Sequence, residues 1–330
     1  MWRRAAAVAA CGLSGLAVAA LAARATRRRP PAGQSRIASL PVQAAALAPV
    51  AAVGSVAAVA LAAPVTWWLA GLLAIPAAIG VAGQLPRRRR PGLRQPEEPG
   101  AEFRVLTVNV LRGRADPDAI VAAVARHELD VLAVEELTED LAGRLKEAGI
   151  TALLPYDHTE PRPRSAGAGL WSRWPLEPLP PVPGLGHPAP SARVTPAAGP
   201  PVTVHAVHVV APLKGRQQDW HEELRRLGQG LRLAAGAQVV AGDFNASRDH
   251  RPFRDLLAVS GFADCADIAR DGAWPGLTWP SNRRWLPPVM RLDHVLVSPG
   301  LTARQVRTID VPGTDHRGVL AVIELTPAGR

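Results

Sequence analysis

Several apolar runs of this 330-residue chain end in side chains that ordinary strands do not end in. Asn109 interrupts FRVLTVNVL, and Glu135 and Glu136 close DVLAVEEL. His208 lies in VHAVHVVAP, Asp243 and Asn245 in AGDFNAS, Asp293 and His294 in RLDHVLVS, and Asp315 and His316 in GTDHRG. Singly, each has a bland reading as a turn former, a helix cap or a satisfied buried histidine. Repeated along one chain, the habit points to a site, because buried carboxylates are costly unless paired or bound to a cation. Asn, Asp and Glu are hard oxygen ligands suited to Mg²⁺ or Mn²⁺. A divalent ion, an Asp base and an acidic His suit hydrolysis of a phosphate ester. The ion neutralises phosphate oxygens, the base activates water, and the His stabilises developing charge.

Other chemistries lack their residues. There is no thiol cluster for zinc, and HEELR at 221–225 has Arg225 where a zinc protease needs its second His. No G-x-x-x-x-G-K-[ST] or G-x-S-x-G occurs, which excludes P-loop and serine-hydrolase readings. Cys11 and Cys265 make no disulfide framework. Cys11 reads as a buried membrane thiol rather than a lipidation site, because the apolar run before it is too short.

The elements that must hold these residues alternate between strand and helix. Strands are predicted at 103–111, 130–137, 150–154, 168–173, 202–209, 293–298, 303–309 and 318–325, and AQVVAGDFN at 237–245 reads as a strand leading into a loop. Helices are predicted at 116–127, with Asp116 as cap and Pro117 in the first turn, and from Thr138 to Gly149. Two more fall at 216–234, where Trp220, Leu224, Leu227 and Leu231 share helical spacing, and over PFRDLLAVSG. Pro-rich stretches such as 178–190 read as loops around a cleft. The pattern is that of an α/β domain over residues 103–330.

Upstream the composition changes. Residues 1–95 carry twelve Arg and no acidic residue, whereas the remainder sums to −2. The overall charge of +10 therefore does not describe the folded part, and a nucleic-acid surface is not favoured. Residues 5–23 and 37–85 are uncharged. Pro64 and the interfacial pair Trp67 and Trp68 divide the second stretch, giving about three transmembrane helices in residues 1–85: 5–23, 42–63 and 65–85. An Arg- and Pro-rich linker follows at 86–102. The arginine clusters after the first and third spans place the C-terminal domain in the cytoplasm by the positive-inside rule.

The set Asn109, Glu136, GDFNA, RLDHVLVS and TDH, in this order, resembles the endonuclease/exonuclease/phosphatase (DNase I-like) superfamily from about Arg104 to Leu325. With the N-terminal spans and TWP at 278–280, it is most similar to actinobacterial VanJ-type membrane proteins, associated with undecaprenyl-pyrophosphate chemistry. The resemblance implies a DNase I-like four-layer sandwich, two packed β-sheets flanked by helices. It implies Glu136, Asn109 and Asp315 on the metal, with Glu136 the principal ligand. Asp243 is implied as the base for the attacking water, with Asn245 and His208 beside the phosphate. His316 binds the scissile phosphate, and Asp293 holds its imidazole charged. His205, three positions from His208, should face the other side of its strand. Glu135 occupies the family's Gln position and should face away or assist from behind. Tyr156, Arg112 and Arg114 are weaker candidates for substrate contact, each read first as structural or solvated.

Three functions follow. The expected one is a membrane-anchored, Mg²⁺- or Mn²⁺-dependent phosphohydrolase, multi-pass in the cell membrane, acting on a phosphorylated and lipid-linked envelope substrate such as undecaprenyl pyrophosphate. The alternative is a membrane-bound nuclease of the same superfamily. A non-enzymatic membrane interaction protein is the least favoured, since the catalytic set is complete. The resemblance places the catalytic domain outside the cytoplasm, against the arginine distribution, and the expectation leans outside.

Overall fold

A computed structural model describes residues 100–325, apart from 214, 234, 273–275 and 284. Upstream it describes helix α1 (Ala48–Ala62) and isolated positions. The helix α1 lies within the expected span 42–63 and is uncharged. At about 1.5 Å per residue it is short of a bilayer core. Among the described residues no helix is long and apolar enough to cross a membrane. The expected spans 5–23 and 65–85 lie, but for isolated positions, outside the described residues.

The first half of the folded domain runs β1 (Ala101–Asn109), α2 (Pro117–His127), β2 (Val131–Glu135), α3 (Glu139–Glu147), α4 (Ile150–Leu153), β3 (Tyr156–Glu160) and β4 (Ala168–Ser172). Then come β5 (Leu176–Leu179), β6 (Ser191–Val194), β7 (Val202–His208), α5 (Gln217–Leu233) and β8 (Ala237–Asp243). The chain closes with α6 (Arg251–Ser260), β9 (Ala263–Asp264), α7 (Cys265–Ile268), β10 (Asp271–Gly272), β11 (Asp293–Val297), β12 (Thr302–Ile309) and β13 (Gly318–Leu325). The helix starts follow the sequence chemistry. Asp116 accepts the amides of Asp118 and Ala119, and Thr138 accepts that of Leu141.

Two corrections concern elements. Residues 150–154, expected as a strand, form the single turn α4, and the strand β3 begins at Tyr156. Gly149 at φ 94 ends α3 and lets the chain re-enter a helical turn, which a four-residue stretch cannot announce by period. The Pro-rich connection at 178–190 is flanked by an edge hairpin, β5 with β6. Pro178 sits in β5, a place edge strands tolerate.

The strands form a seven-stranded sheet, β10-β12-β13-β1-β2-β4-β3, and a six-stranded sheet, β5-β6-β7-β8-β11-β9. Alternation divides the apolar residues into layers. Phe103, Val105, Val131, Ala133, Val204, Ala206, Val239, Ala241, Val295 and Val297 fill the space between the sheets. Leu106, Val108, Leu132 and Val134 face outward onto α2, α3 and α4. Val207, Val240 and Leu296 face outward onto α5 and α6. The result is helix, sheet, sheet, helix, a DNase I-like α/β fold.

Candidate active site

Strand register brings the polar residues to one end of the sandwich. In the first sheet β1 and β2 are parallel, with Asn109 level with Glu135. In the second, β7 and β8 are parallel and β11 is antiparallel to β8, so Asp243 stands between His208 and Asp293. Asn109, Glu135, His208, Asp243 and Asp293 all continue inner faces that are apolar farther along each strand. The periodicity that packs the core therefore aims these polar ends at one another.

Asp293 takes the Nδ1–H of His316 at 2.9 Å. The other ring nitrogen of His316 lies 3.9 Å from Asp243. Burial alone would lower the His316 pKa, but the Asp293 and Asp243 carboxylates outweigh it and raise it to about 10. Burial, with Asp293 alongside, pushes Asp243 up to about 7. Asn109 crosses between the sheets, its Nδ2 donating to Asp243 at 3.0 Å and to Glu136 at 3.4 Å. Asn245, at φ 46, turns back so that its amide donates to Asp243 Oδ1 at 2.8 Å and its Nδ2 to the Val209 carbonyl at 2.9 Å. Asn tolerates that left-handed backbone. Trp220, buried on α5, donates its indole N–H to the Asn245 carbonyl and fixes the turn from below. Thr314 donates to the Asn109 carbonyl and accepts the His316 amide, tying the TDH turn to β1.

The sequence matches the model of the endonuclease/exonuclease/phosphatase family over residues 106–316. The chain belongs to the endonuclease/exonuclease/phosphatase family. It is a hydrolase acting on phosphate ester bonds. Solved structures share the fold. A family protein from Leptotrichia buccalis aligns at 16% identity and TM-score 0.53, over 67% of this chain and 99% of its own. The 3′ phosphatase NExo from Neisseria, bound to a product DNA hairpin, aligns at 21% identity and TM-score 0.52, over 66% and 98%. TDP2 from D. rerio, complexed with single-strand DNA product, aligns at 17% identity and TM-score 0.51, over 68% and 99%. No curated protein matches the sequence.

Within this family member the expected residues are not equally placed. Asn109, Glu136, Asp243, Asn245, Asp293, His316 and His208 come together, with His208 Nε2 3.8 Å from Asp243. His205 faces the other side of β7, bonded to Ser191 at 2.8 Å. Asp315 turns to Trp279, whose indole N–H it accepts at 3.1 Å. Thr278 accepts the amides of Leu292 and Asp293, so TWP braces both β11 and the TDH turn. Tyr156 pairs with Ser172, which lies level with Val131 at the start of β2, the end away from the site. Arg112, at φ 57, lies beside Glu136, and its backbone N–H donates to that carboxylate. Arg114 is exposed and bonded by its side chain to nothing in the site.

Of the two places expected for Glu135, it takes the one behind the site and does not face away. It continues the inner face of Val131 and Ala133, is fully buried, and accepts the Thr107 hydroxyl at 2.7 Å beneath Asp243 and Asp293. Burial raises its carboxyl well above the ordinary range, with the Thr107 bond only partly offsetting this. Glu136 still reaches the site because its φ of 60 breaks the alternation. Two adjacent residues thus serve one end of the cleft, which a regular strand forbids.

The cluster fits a divalent cation. Glu136 Oε2 is buried with no hydrogen-bond partner, and burial raises the Glu136 carboxyl against the Asn109 bond. Asp243 and Asp293 lie beside it, each with a carboxylate oxygen within 4.8 Å of the other and of a His316 ring nitrogen. Asp243 and Asp293 converge with Glu136 on one histidine, a donor set short of positive charge.

Proposed function

We propose that this is a membrane-anchored, divalent-metal-dependent phosphohydrolase acting on a lipid-linked envelope phosphate such as undecaprenyl pyrophosphate. The Asp293–His316 pair aimed at Asp243 carries the chemistry. A histidinium has no lone pair to offer a metal. The cation is accordingly assigned to the Glu136 and Asn109 side, with Asp315 as the third ligand that the family resemblance implies. Bound there, Mg²⁺ or Mn²⁺ would neutralise phosphate oxygens. His316, charged and held by Asp293, donates to the scissile phosphate. Asp243 orients water and takes its proton, and Asn245 and His208 hold the phosphate from the second sheet.

The anchor reading rests on the uncharged stretches 5–23 and 37–85, with the Arg-rich linker at 86–102 leading into the catalytic domain. The catalytic domain is assigned to the outer face, where the lipid carrier's phosphates would be exposed. The VanJ-type likeness supports this subgroup. The second reading is a nuclease, favoured by two structural neighbours bound to DNA. The near-neutral domain weighs against it.

The test uses the full chain in detergent with Mg²⁺, assayed on undecaprenyl pyrophosphate, sphingomyelin and plasmid DNA, each with and without EDTA. Turnover of the lipid pyrophosphate that EDTA stops and Mg²⁺ restores is expected. Cleavage of DNA alone would replace the first reading with the second. A C-terminal reporter fusion reads the side of the membrane, and cytoplasmic activity would overturn that assignment.

A further inference from the structure

The near-neutral charge of the folded part hides a polarity. The loops at the site end, 110–116, 136–138, 161–167, 180–190, 209–216, 244–250, 276–292 and 310–317, carry eleven basic residues and five acidic ones. The rest of residues 96–330 sums to −8, so the positive charge is gathered around the cleft. Some of these cations have partners: Arg162 has Glu160, Arg216 has Asp219 and Arg317 has Asp310. Arg114, Arg164 and Arg283 are exposed and, among the described residues, form no ion pair. They stand on different sides of the cleft. Arg114 follows β1, Arg164 lies between β3 and β4, and Arg283 precedes β11, while β1 packs across from β11 and β4 across from β7. A stripe of cations would track a polyanionic strand, whereas a rim faces a plane.

Two large apolar side chains stand on the same rim. Trp285 is 75% exposed and Leu213 is 53% exposed. Trp285 lies beyond the Trp279–Met290 bridge, on a loop whose root is fixed by the Ser281 amide on the Asp315 carbonyl at 2.8 Å. The Arg283 guanidinium lies 5.8 Å from its ring centroid. Water solvates that indole poorly, and the headgroup layer of a bilayer suits an aromatic with a cation beside it.

The point of entry gives the rim a task. Ala101 is level with Leu325, so the chain enters β1 at the end away from the site. Nine residues of β1, at about 3.3 Å each, put the cleft about 30 Å from that entry. Held only from there, the cleft would point away from the bilayer. The linker from 86 to 100, at most about 50 Å long when extended, lets the domain turn over.

We propose that the site end of the domain is a docking face for an anionic lipid surface. Arg114, Arg164 and Arg283 meet headgroup phosphates, and Trp285 and Leu213 enter the boundary with the acyl chains. This rests on the membrane-anchored reading and adds what turns the cleft toward the lipid.

The experiment reconstitutes the full chain in phosphatidylcholine liposomes, with and without phosphatidylglycerol, whose acyl chains are brominated to quench tryptophan. Subtracting the Trp285→Phe signal from the parent's isolates residue 285. Its emission should be quenched when phosphatidylglycerol is present, much less without it, and less again as salt is added. Arg114→Ser and Arg164→Ser should each lower the docking equilibrium read this way about fivefold, the worth of one cation at an anionic surface. Leu213→Asp should lower it too, and all three side chains are exposed, so thermal midpoints should stay at the parent's. No quenching of residue 285 in either liposome would overturn the face, and equal quenching in both would overturn its choice of an anionic surface. A single-stranded oligonucleotide that shields Trp285, and binds more weakly to Arg114→Ser and Arg164→Ser, would replace the lipid with nucleic acid if the liposomes give no quenching. A chain that alkaline carbonate strips from the liposomes lacks the anchor and removes the membrane-anchored reading. Cosedimentation of that chain with phosphatidylglycerol vesicles, against phosphatidylcholine ones, then judges the face alone.

Discussion

Asp293 and His294 are neighbours on β11 and belong to two different His–carboxylate pairs. Asp293 points inward and holds His316 at 2.9 Å. His294 points outward, among Phe244 and Phe253, and holds Asp264 at 2.7 Å. In the outer pair everything is taken. His294 Nε2 meets the Ala246 carbonyl at 2.8 Å, and Asp264 also takes Arg291 at 3.1 Å. In the inner pair the second nitrogen of His316 lies 3.9 Å from Asp243, beyond hydrogen-bond distance. The two pairs have the same chemical parts. What differs is the second valence of the imidazole, closed in one and open in the other, and that separates a structural histidine from a reactive one.

The comparison breaks if the two pairs respond alike. His316→Asn should lower kcat/KM about 10³-fold, in the range of a lost general acid or base, with the thermal midpoint close to the parent's. Asp264→Asn should do the reverse. It should cost about 3 kcal/mol of stability by leaving His294 buried without its carboxylate and Arg291 with Asp267 alone, while the folded fraction keeps its kcat. Denaturation and initial rates on both variants check this, and inactivation of Asp264→Asn without destabilisation would sink the distinction. The two glutamates of β2 sharpen the same rule. Glu136→Gln should reduce Mg²⁺-dependent turnover about a hundredfold. Glu135→Gln should change it less than about threefold, because burial already disfavours its charge. Reversed sensitivities would move the metal to the inner glutamate.

The smallest effect concerns a third closed histidine. Burial lowers His205 from its ordinary 6.5 to about 4. A base held neutral in the fold contributes stability that is complete above pH 6.5 and is lost as pH falls toward 4. Between pH 7 and pH 5 the parent should therefore lose about 2 kcal/mol more than His205→Gln, read from urea midpoints. Equal slopes would mean that His205 is charged in the folded state.

Much of this was legible because two physical signals agree. Period-two alternation fixes which residues of β1, β2, β7 and β8 face inward, and each inner face ends in a polar residue. His205 could be set aside from His208 on that ground alone. Glu135 was left between two places, facing away or behind the site, because the alternation was anchored on Glu136, whose backbone leaves the strand. A positive φ at a glutamate carries no sequence signature. His187 was missed because a single histidine in a Gly- and Pro-rich stretch has no period to read. Only Glu223, on a distant helix, brings its loop against His208. The hairpin of β5 and β6 was hidden by the same prolines. For Asp315, the structure shows a bond to Trp279 that adjacency to His316 could not suggest.

The topology also imposes an order in time. His316 stands in the turn before β13, and β13 pairs with β1 in the middle of the seven-stranded sheet. A ribosome must therefore extrude the chain through residue 325 before the first strand gains its central neighbour. Until then Asp243 has no histidine opposite it, and Asn109 lacks the Thr314 hydroxyl on its carbonyl. The site is therefore assembled only after β13 has joined the sheet, as the last step that synthesis allows.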